Sequence, residues 1–380
     1  MTNILPLPKT GRPLYLQQIK LTNFKNYEQQ MVDCAPRLNA FVGRNGMGKT
    51  NLLDAIYYLC MGKSYFGLND QYIARHETGF FRLEGSFRIG ERTERMIAKV
   101  QIRQRKVLEH NGAPYDRLSD HVGRYPVVIV VPDDTALVTE GSEVRRRFMD
   151  NTLSQLDPLY LQQLIIYNKV LKQRNALLKD FGGRPVSGGL LEVYDQQLTE
   201  PAAYIYQVRS AFMEAFTPLL QAAHQAIVGE AETVELLYRS QLAEAELDHW
   251  LVQNRDKDRV LERTTAGIHR DDLVFQLAEQ PLKRLGSQGQ VKSFVLALKL
   301  AQYAYLRAGK DRLPLLLLDD IFDKLDPSRV EQLLTFILAE DFGQVFISDT
   351  DPARIKGLLA KFATDHRVYH ITDGIATPYE

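Results

Sequence analysis

Residues 38–61 read LNAFVGRNGMGKTNLLDAIYYLCM: an apolar stretch, two glycines five positions apart closed by a lysine and a threonine, then a second apolar run. No other segment restricts the fold as strongly, because a glycine turn that leaves a strand and opens a helix commits the chain to an α/β architecture. Leu52, Leu53, Ile56 and Leu59 recur at helical spacing and predict an amphipathic helix with one buried face. The turn itself, Gly43-Arg44-Asn45-Gly46-Met47-Gly48-Lys49-Thr50, matches G-x-x-x-x-G-K-[ST] in full. In such a loop the backbone N–H groups can wrap an anion, Lys49 offers a point charge to the β and γ phosphates, and Thr50 offers a hydroxyl to Mg²⁺. The positive end of the following helix adds to this. A nucleoside triphosphate site is the expectation; the competing one is a glycine-rich turn with a solvated lysine.

Strands are expected at 14–22 and 38–43, an antiparallel sheet across 80–109 with an Asn-Gly turn after it, and a strand buried on both faces at 125–132. Residues 143–260 turn to helical periodicity, broken near FGGRPVSGG, and form the expected second lobe. After it come a helix over 288–307 and buried strands at 314–320 and 344–348. This predicts an N-terminal part of one lobe over 1–142, an inserted helical lobe over 143–260, and the rest of the first lobe over 261–380. Prolines and glycines near the start suggest a mobile tail.

A chain of 380 residues can bury one large core or two smaller ones. Lys plus Arg equals Asp plus Glu at 47 each, so nucleic-acid binding would need a local basic patch. Cys34 and Cys60 are too few and too unpatterned for a zinc site or disulfide framework, which fits a reducing compartment. No secretion signal opens the chain, and no segment approaches the ~18–20 apolar residues that span a bilayer. A cytoplasmic protein with no membrane partner is expected.

Far downstream, LLLLDD ends an apolar run on two carboxylates. A phosphate-loop enzyme needs one acid at the end of a neighbouring strand to hold Mg²⁺ and a group to orient water. Asp319 fits the first role and Asp320 the second, with Lys49 completing the catalytic set. Lys49 and Asp319 lie 270 positions apart, about twice what one compact nucleotide-binding domain needs. A substantial insertion between two halves of one core follows.

Between those halves, LGSQGQVKSF precedes a helix, and Ser287-Gln288-Gly289-Gln290 resembles the signature motif of ABC-type ATPases. FDKLDP, with Asp326, resembles the D-loop of that class. The resemblance narrows to the RecF family of bacterial recombinational repair proteins and spans nearly the whole chain. It is carried by LTNFKNYE, LNAFVGRNGMGKTNLLDAIYYL, VVPDDTALVTEGSEVRRRFMD, YNKVLKQRNALLK, TTAGIHRDDL, GSQGQVKSFVLALKLAQ and LLLLDDIFDKLD. It implies an ABC-type, SMC-like ATPase head with an inserted, mainly helical second lobe. It also implies ATP and Mg²⁺ as cofactors, and a homodimer that closes around ATP with Ser287 and Gly289 reaching the γ phosphate of the opposite subunit. RecR- and RecO-like mediators and a RecA-type recombinase are the implied partners, beside DNA near single-strand gaps. Two departures stand out. Asp320 is one methylene shorter than the glutamate of ABC transporters, which implies slow hydrolysis. The histidine expected after QVFIS is replaced by Asp349 and Thr350. His269, in TTAGIHRDDL, matches a family motif and is either catalytic or bonded within a turn.

For DNA, Arg145-Arg146-Arg147 and the cluster Arg92, Arg95, Lys99, Arg103, Arg105 and Lys106 are candidate phosphate contacts, and residues 1–50 hold seven Lys or Arg against two Asp or Glu. Such clusters are also ordinary solvated faces. Two other functions use similar motifs. One is the ATPase subunit of a membrane transporter; the other is a metal nuclease with Asp319, Asp320, Asp323 and Asp326 as ligands.

Overall fold

The computed structural model describes residues 11–184, 189–229, 232–321, 337, 342–360 and 365–379. Asp323, Asp326 and the tail over residues 1–10 lie outside these. The chain divides into two compact units, Met1–Thr135 with Ala222–Gly229 and Gln288–Glu380, and Ala136–Gln221 with Glu230–Ser287.

The first unit contains two six-stranded sheets. One is antiparallel: β1 (Leu14–Phe24), β2 (Tyr27–Asp33), β4 (Phe80–Ile89), β5 (Arg92–Gln101), β6 (Val107–His110) and β7 (Ala113–Pro114), in the order β2-β1-β4-β5-β6-β7. The alternating stretch 93–109 therefore folds as two strands, with Arg103 at φ +67° between them. Asn111 and Gly112, at φ +52° and +85°, form the left-handed turn that an Asn-Gly pair favours.

The second sheet has the order β15-β14-β3-β13-β12-β8. It consists of β3 (Leu38–Val42), β8 (Val127–Val130), β12 (Leu315–Leu318), β13 (Val345–Asp349), β14 (His366–Thr372) and β15 (Ile375–Pro378). All its pairs are parallel except β14 with β15. β3, β8, β12 and β13 are buried at every residue, which explains why they read as unbroken apolar runs.

Helix α1 (Lys49–Met61) packs against β1, β4 and β5 of the antiparallel sheet and against β8 and β13 of the parallel one. With a sheet on either side it has no solvent face. Ala55, Tyr57, Tyr58 and Cys60 are buried along with Leu52, Leu53, Ile56 and Leu59. The expected amphipathic helix is thus a central one, packed on both sides, and its buried acid Asp54 is paired with Lys25 at 2.7 Å. Cys34 and Cys60 are buried and not joined to each other.

The second unit holds α2 (Ser142–Leu156), α3 (Pro158–Phe181), most of α4 (Leu190–Val228) and a small antiparallel sheet, β11-β10-β9. Its strands are β9 (Val234–Arg239), β10 (Asp272–Leu277) and β11 (Gln280–Pro281). Asp157 caps α3 by accepting from the N–H groups of Leu159 and Tyr160 at 2.8 and 3.0 Å, ahead of Pro158 at the first helical position. The unit runs to Ser287, whereas sequence periodicity placed its end near 260. Buried arginines account for the extension. Arg209 in α4 donates to Asp271 at 2.6 Å and to Asp150 at 2.8 Å, and Arg145 in α2 donates to Asp272 at 2.7 Å. Those bonds bind the strand after Ile268 to the helices. Among the described residues no helix is long and apolar enough to cross a membrane.

Within the first unit a buried cation anchors α5 (Gln288–Gly309). The Lys299 ammonium lies 3.0 Å from Asp134 and donates to the Tyr65 hydroxyl at 2.8 Å and the Ile129 carbonyl at 3.0 Å. Tyr65 in turn donates to Asp134, and Asp134 also accepts from the Val131 N–H at 2.7 Å. Burial pulls the Lys299 pKa down against the attraction of Asp134. Asp134→Ala strands that ammonium and is expected to cost about 3–5 kcal/mol. Asp134→Leu combined with Lys299→Met removes both charges and is expected to cost less. Urea unfolding of the two variants measures the difference, and equal losses would rule out coupling.

Candidate nucleotide site

β3 runs straight into the glycine loop. Gly43 has φ +154°, and a β-carbon on it would lie 2.4 Å from the Ile371 carbonyl oxygen, so no other residue fits without displacing β14. Gly48, at φ +117°, precedes α1 in a left-handed conformation, and a β-carbon there would meet the Asn26 amide at 2.6 Å. The loop is held from outside. Asn26 donates to the Met47 carbonyl at 3.0 Å, Tyr27 to the Gly48 carbonyl at 3.0 Å, and the Gly374 N–H to Met47 at 3.0 Å. Asn51 donates to Asn26 at 2.7 Å, and the Gly43 N–H donates to the Asp349 carbonyl at 3.2 Å. Arg44, Asn45 and Gly46 are exposed at its crest.

The start of α1 has no side-chain cap and no acidic residue in its first turn. Its first N–H groups have no intrahelical acceptors and carry the positive end of the helix dipole, an arrangement that suits an anion. Lys49 is buried beside them. Its amine donates to the carbonyls of Gly43 at 2.8 Å and Arg44 at 3.2 Å, and stands 3.6 Å from the Asp320 carboxylate.

The two distant acids arrive through β12. Leu318 pairs with Val130 on one side and Ile347 on the other, so the next residue, Asp319, emerges between β8 and β13. Thr50 donates to Asp319 at 2.9–3.0 Å, and the Ser348 hydroxyl donates to it at 2.7 Å. Burial pushes the Asp319 carboxyl above its usual range, opposed by these hydrogen bonds. Asp320 follows at φ +43°, with its N–H donating to Ser348 at 2.9 Å. Lys49, Thr50, Asp319 and Asp320, 271 positions apart at the extremes, are thereby neighbours in one unit.

Other candidates fall elsewhere. Gln288, Gly289 and Gln290 form the first turn of α5, with Ser287 just before it, and Ser287, Gln288 and Gly289 are exposed. The bonds that fix the phosphate loop come from Asn26, Tyr27, Gly374 and Asp349. In the place of the expected histidine, Asp349 is paired with Arg354 at 2.8 and 2.9 Å. Among the described residues no group of three or more His, Cys, Asp or Glu could hold a metal. Of the basic clusters, Arg145 is buried on Asp272, Arg146 donates to the Asp271 carbonyl at 2.7 Å, and Arg147 pairs with Glu143 at 3.0 Å. Arg95 pairs with Glu84, Lys99 with Glu109 and Lys106 with Asp70, while Arg105 donates to the Asp116 carbonyl at 3.1 Å. Arg92 and Arg103 are exposed.

Residues 15–76, which contain the loop, match the family model described as RecF/RecN/SMC N terminal domain. A DNA replication and repair protein RecF of Flavobacterium johnsoniae is 44% identical over 94% of this chain and 100% of its own length. The chain belongs to the RecF family. A second RecF, from Porphyromonas gingivalis, is 39% identical over 95% of this chain and 99% of its own. Among solved structures, the recombination mediator protein RecF-ATPrS in the RecFOR pathway superposes with a TM-score of 0.87 at 27% identity, covering 98% of this chain and 100% of that one. The Smc head domain of Pyrococcus furiosus, at TM-score 0.55 and 16% identity over 96% of both chains, shares the fold. The α/β, SMC-like head with a helical insertion, expected from the sequence, is the observed class.

The RecF-family stretch TTAGIHRDDL occupies the second unit, where it serves packing. The His269 Nε2 faces the Thr264 carbonyl at 3.1 Å and so carries the proton; Nδ1 accepts from the Tyr167 hydroxyl at 2.8 Å. Both ring nitrogens are engaged inside the fold, which makes His269 a structural histidine. The sequence offered no sign of Asn26, Tyr27 or Ser348 as site residues, although Asn26 and Tyr27 lie in LTNFKNYE. Burial lowers the His269 pKa from 6.5 to about 4. A histidine depressed in the native state contributes stability above its unfolded pKa and loses it as pH falls toward the folded value. Acidification from pH 7.5 to 4.5 is therefore expected to cost the native chain about 2–3 kcal/mol more than His269→Gln, by unfolding free energies at both pH values. Identical pH dependences would exclude the neutral buried ring.

Proposed function

We propose that this chain is an ATP-driven DNA-binding dimer of recombinational repair and replication. The carrying observation is the convergence of the phosphate loop, Thr50, Asp319 and Asp320 in one unit of a chain 44% identical to a DNA replication and repair protein. That unit is the ATPase lobe, and Ala136–Gln221 with Glu230–Ser287 is the inserted lobe. Solved relatives are titled RecF-ATP and RecF-ATPrS, which supports ATP as the nucleotide.

In this reading the amides of residues 43–50 and the bare first turn of α1 receive the phosphates. Lys49 exchanges its bonds to the Gly43 and Arg44 carbonyls for β and γ phosphate oxygens. The Thr50 hydroxyl and the Asp319 carboxylate, 2.9–3.0 Å apart, are hard oxygen donors that fit Mg²⁺. A bound Mg²⁺ supplies charge neutralisation between the phosphates. Asp320 polarises the attacking water. Its short side chain limits turnover, so hydrolysis is slow and serves to reset the dimer. Ser287, Gln288 and Gly289, exposed at the start of α5, reach the nucleotide of a second copy together with the half-buried Gln290, and the family resemblance assigns Asp326 to nucleotide binding as well. DNA near single-strand gaps, RecR- and RecO-like mediators and a RecA-type recombinase are the partners, in the cytoplasm. Arg92 and Arg103 are the cluster residues available for phosphate contacts, since Arg145 and Arg146 are used inside the fold.

Sedimentation with and without ATP on a short gapped duplex tests this. ATP is expected to convert monomer to dimer and tighten DNA binding. Lys49→Arg weakens both steps, and Asp320→Asn keeps the dimer while hydrolysis falls on the order of 10²-fold or more. A native chain that stays monomeric and ignores DNA in both states would sink the proposal.

A further inference from the structure

Ser348 is a completely buried hydroxyl at the end of β13, one residue beyond Ile347, which pairs with Leu318. That register sets Ser348 beside Asp319. A hydroxyl carries one proton and two lone pairs. The proton goes to Asp319 Oδ1 at 2.7 Å, and a lone pair receives the Asp320 N–H at 2.9 Å. With its proton committed, Ser348 has nothing to donate to Asp320 Oδ1 at 3.4 Å. One side chain thus grips the carboxylate of one acid and the backbone of the next.

The second grip matters because of where Asp320 sits. Its φ of +43° is in the left-handed region, which a residue with a β-carbon adopts at a cost and keeps only when its surroundings hold it there. This conformation turns the chain sharply after β12 and leaves the Asp320 carboxylate 3.6 Å from the Lys49 amine. Thr50 also donates to Asp319, yet Thr50 belongs to the phosphate loop and its hydroxyl is the one called on to leave for a cation. Ser348 belongs to the sheet and has no such duty.

We infer that Ser348 is a positioning residue that aims Asp319 and Asp320 as one unit, so the metal-side acid and the water-polarising acid keep a fixed mutual geometry. This rests on the roles proposed above for those two acids. Groups that orient a ligating carboxylate from behind typically change metal affinity or activity 10- to 100-fold when removed. Loop and helix contacts to the phosphates do not pass through Ser348, so nucleotide binding without metal is untouched.

The test compares the full-length chain with Ser348→Ala and Ser348→Thr. Binding of a fluorescent ATP analogue is measured in EDTA and across a Mg²⁺ titration, beside steady-state hydrolysis. Ser348→Ala is expected to bind in EDTA like the native chain, to need about tenfold more Mg²⁺ for half-maximal effect, and to lose on the order of 10- to 100-fold in kcat with KM within about twofold. Ser348→Thr, which keeps the hydroxyl, is expected to recover most of both. Unchanged Mg²⁺ dependence and kcat in Ser348→Ala would overturn the inference. So would loss of EDTA-state binding in both variants, which marks a purely structural role. Failure of the native chain to bind the analogue at all would instead remove the nucleotide reading, and the positioning role with it.

Discussion

In a parallel sheet every strand delivers its carboxyl end to the same edge, and a ligand bound there meets residues from several strands at once. β3, β13 and β12 are consecutive in this sheet, so the residues that follow or end them are neighbours whatever their separation in sequence. Gly43 leaves β3, Ser348 and Asp349 end β13, and Asp319 leaves β12. The site is therefore a consequence of strand order. An insertion of any length between β8 and β12 leaves it intact, provided the two strands remain paired, and the second unit is such an insertion.

The helix that leaves the loop carries the complementary constraint. Because α1 is enclosed by both sheets, its direction is set by packing along its length, and its amino terminus opens on the glycine loop. No side chain of the helix itself neutralises that end. Positive potential from the dipole and from buried Lys49 is balanced by loop carbonyls and, at 3.6 Å, by Asp320. The arrangement is satisfied but weakly so, since carbonyl oxygens are poorer partners for an ammonium than phosphate oxygens.

Which features could be seen in the sequence follows from how local their causes are. Residues 43–50 are contiguous, so the motif is visible without the fold, although the contacts that demand glycine at 43 and 48 come from Ile371 and Asn26. LLLLDD is visible because burial on both faces leaves an unbroken apolar run before two acids. Ser348 was invisible: a single serine after VFI is an ordinary strand end, and its meaning depends on a register with residues 29 positions away. The same applies to Arg145 and Arg146, which read as surface charge because their acceptors at 271 and 272 lie about a third of the chain downstream. The end of the second unit was misplaced for that reason too, since Arg209 reaches Asp271 across 62 positions. Periodicity also could not tell that α1 has two packed sides, because its first face already satisfied a helical pattern.

The Lys49–Asp320 contact joins these themes. In the proposed role, a triphosphate would draw the Lys49 amine, which stands 3.6 Å from Asp320, onto its own oxygens. Asp319 has its two donors, Thr50 at 2.9–3.0 Å and Ser348 at 2.7 Å. Asp319, Asp320 and Ser348 are thus held by the ends of two paired strands, while Lys49 and Thr50 come from the loop and helix. In the proposed dimer, the donors beyond those of the loop, β12 and β13 come from a second copy of the chain.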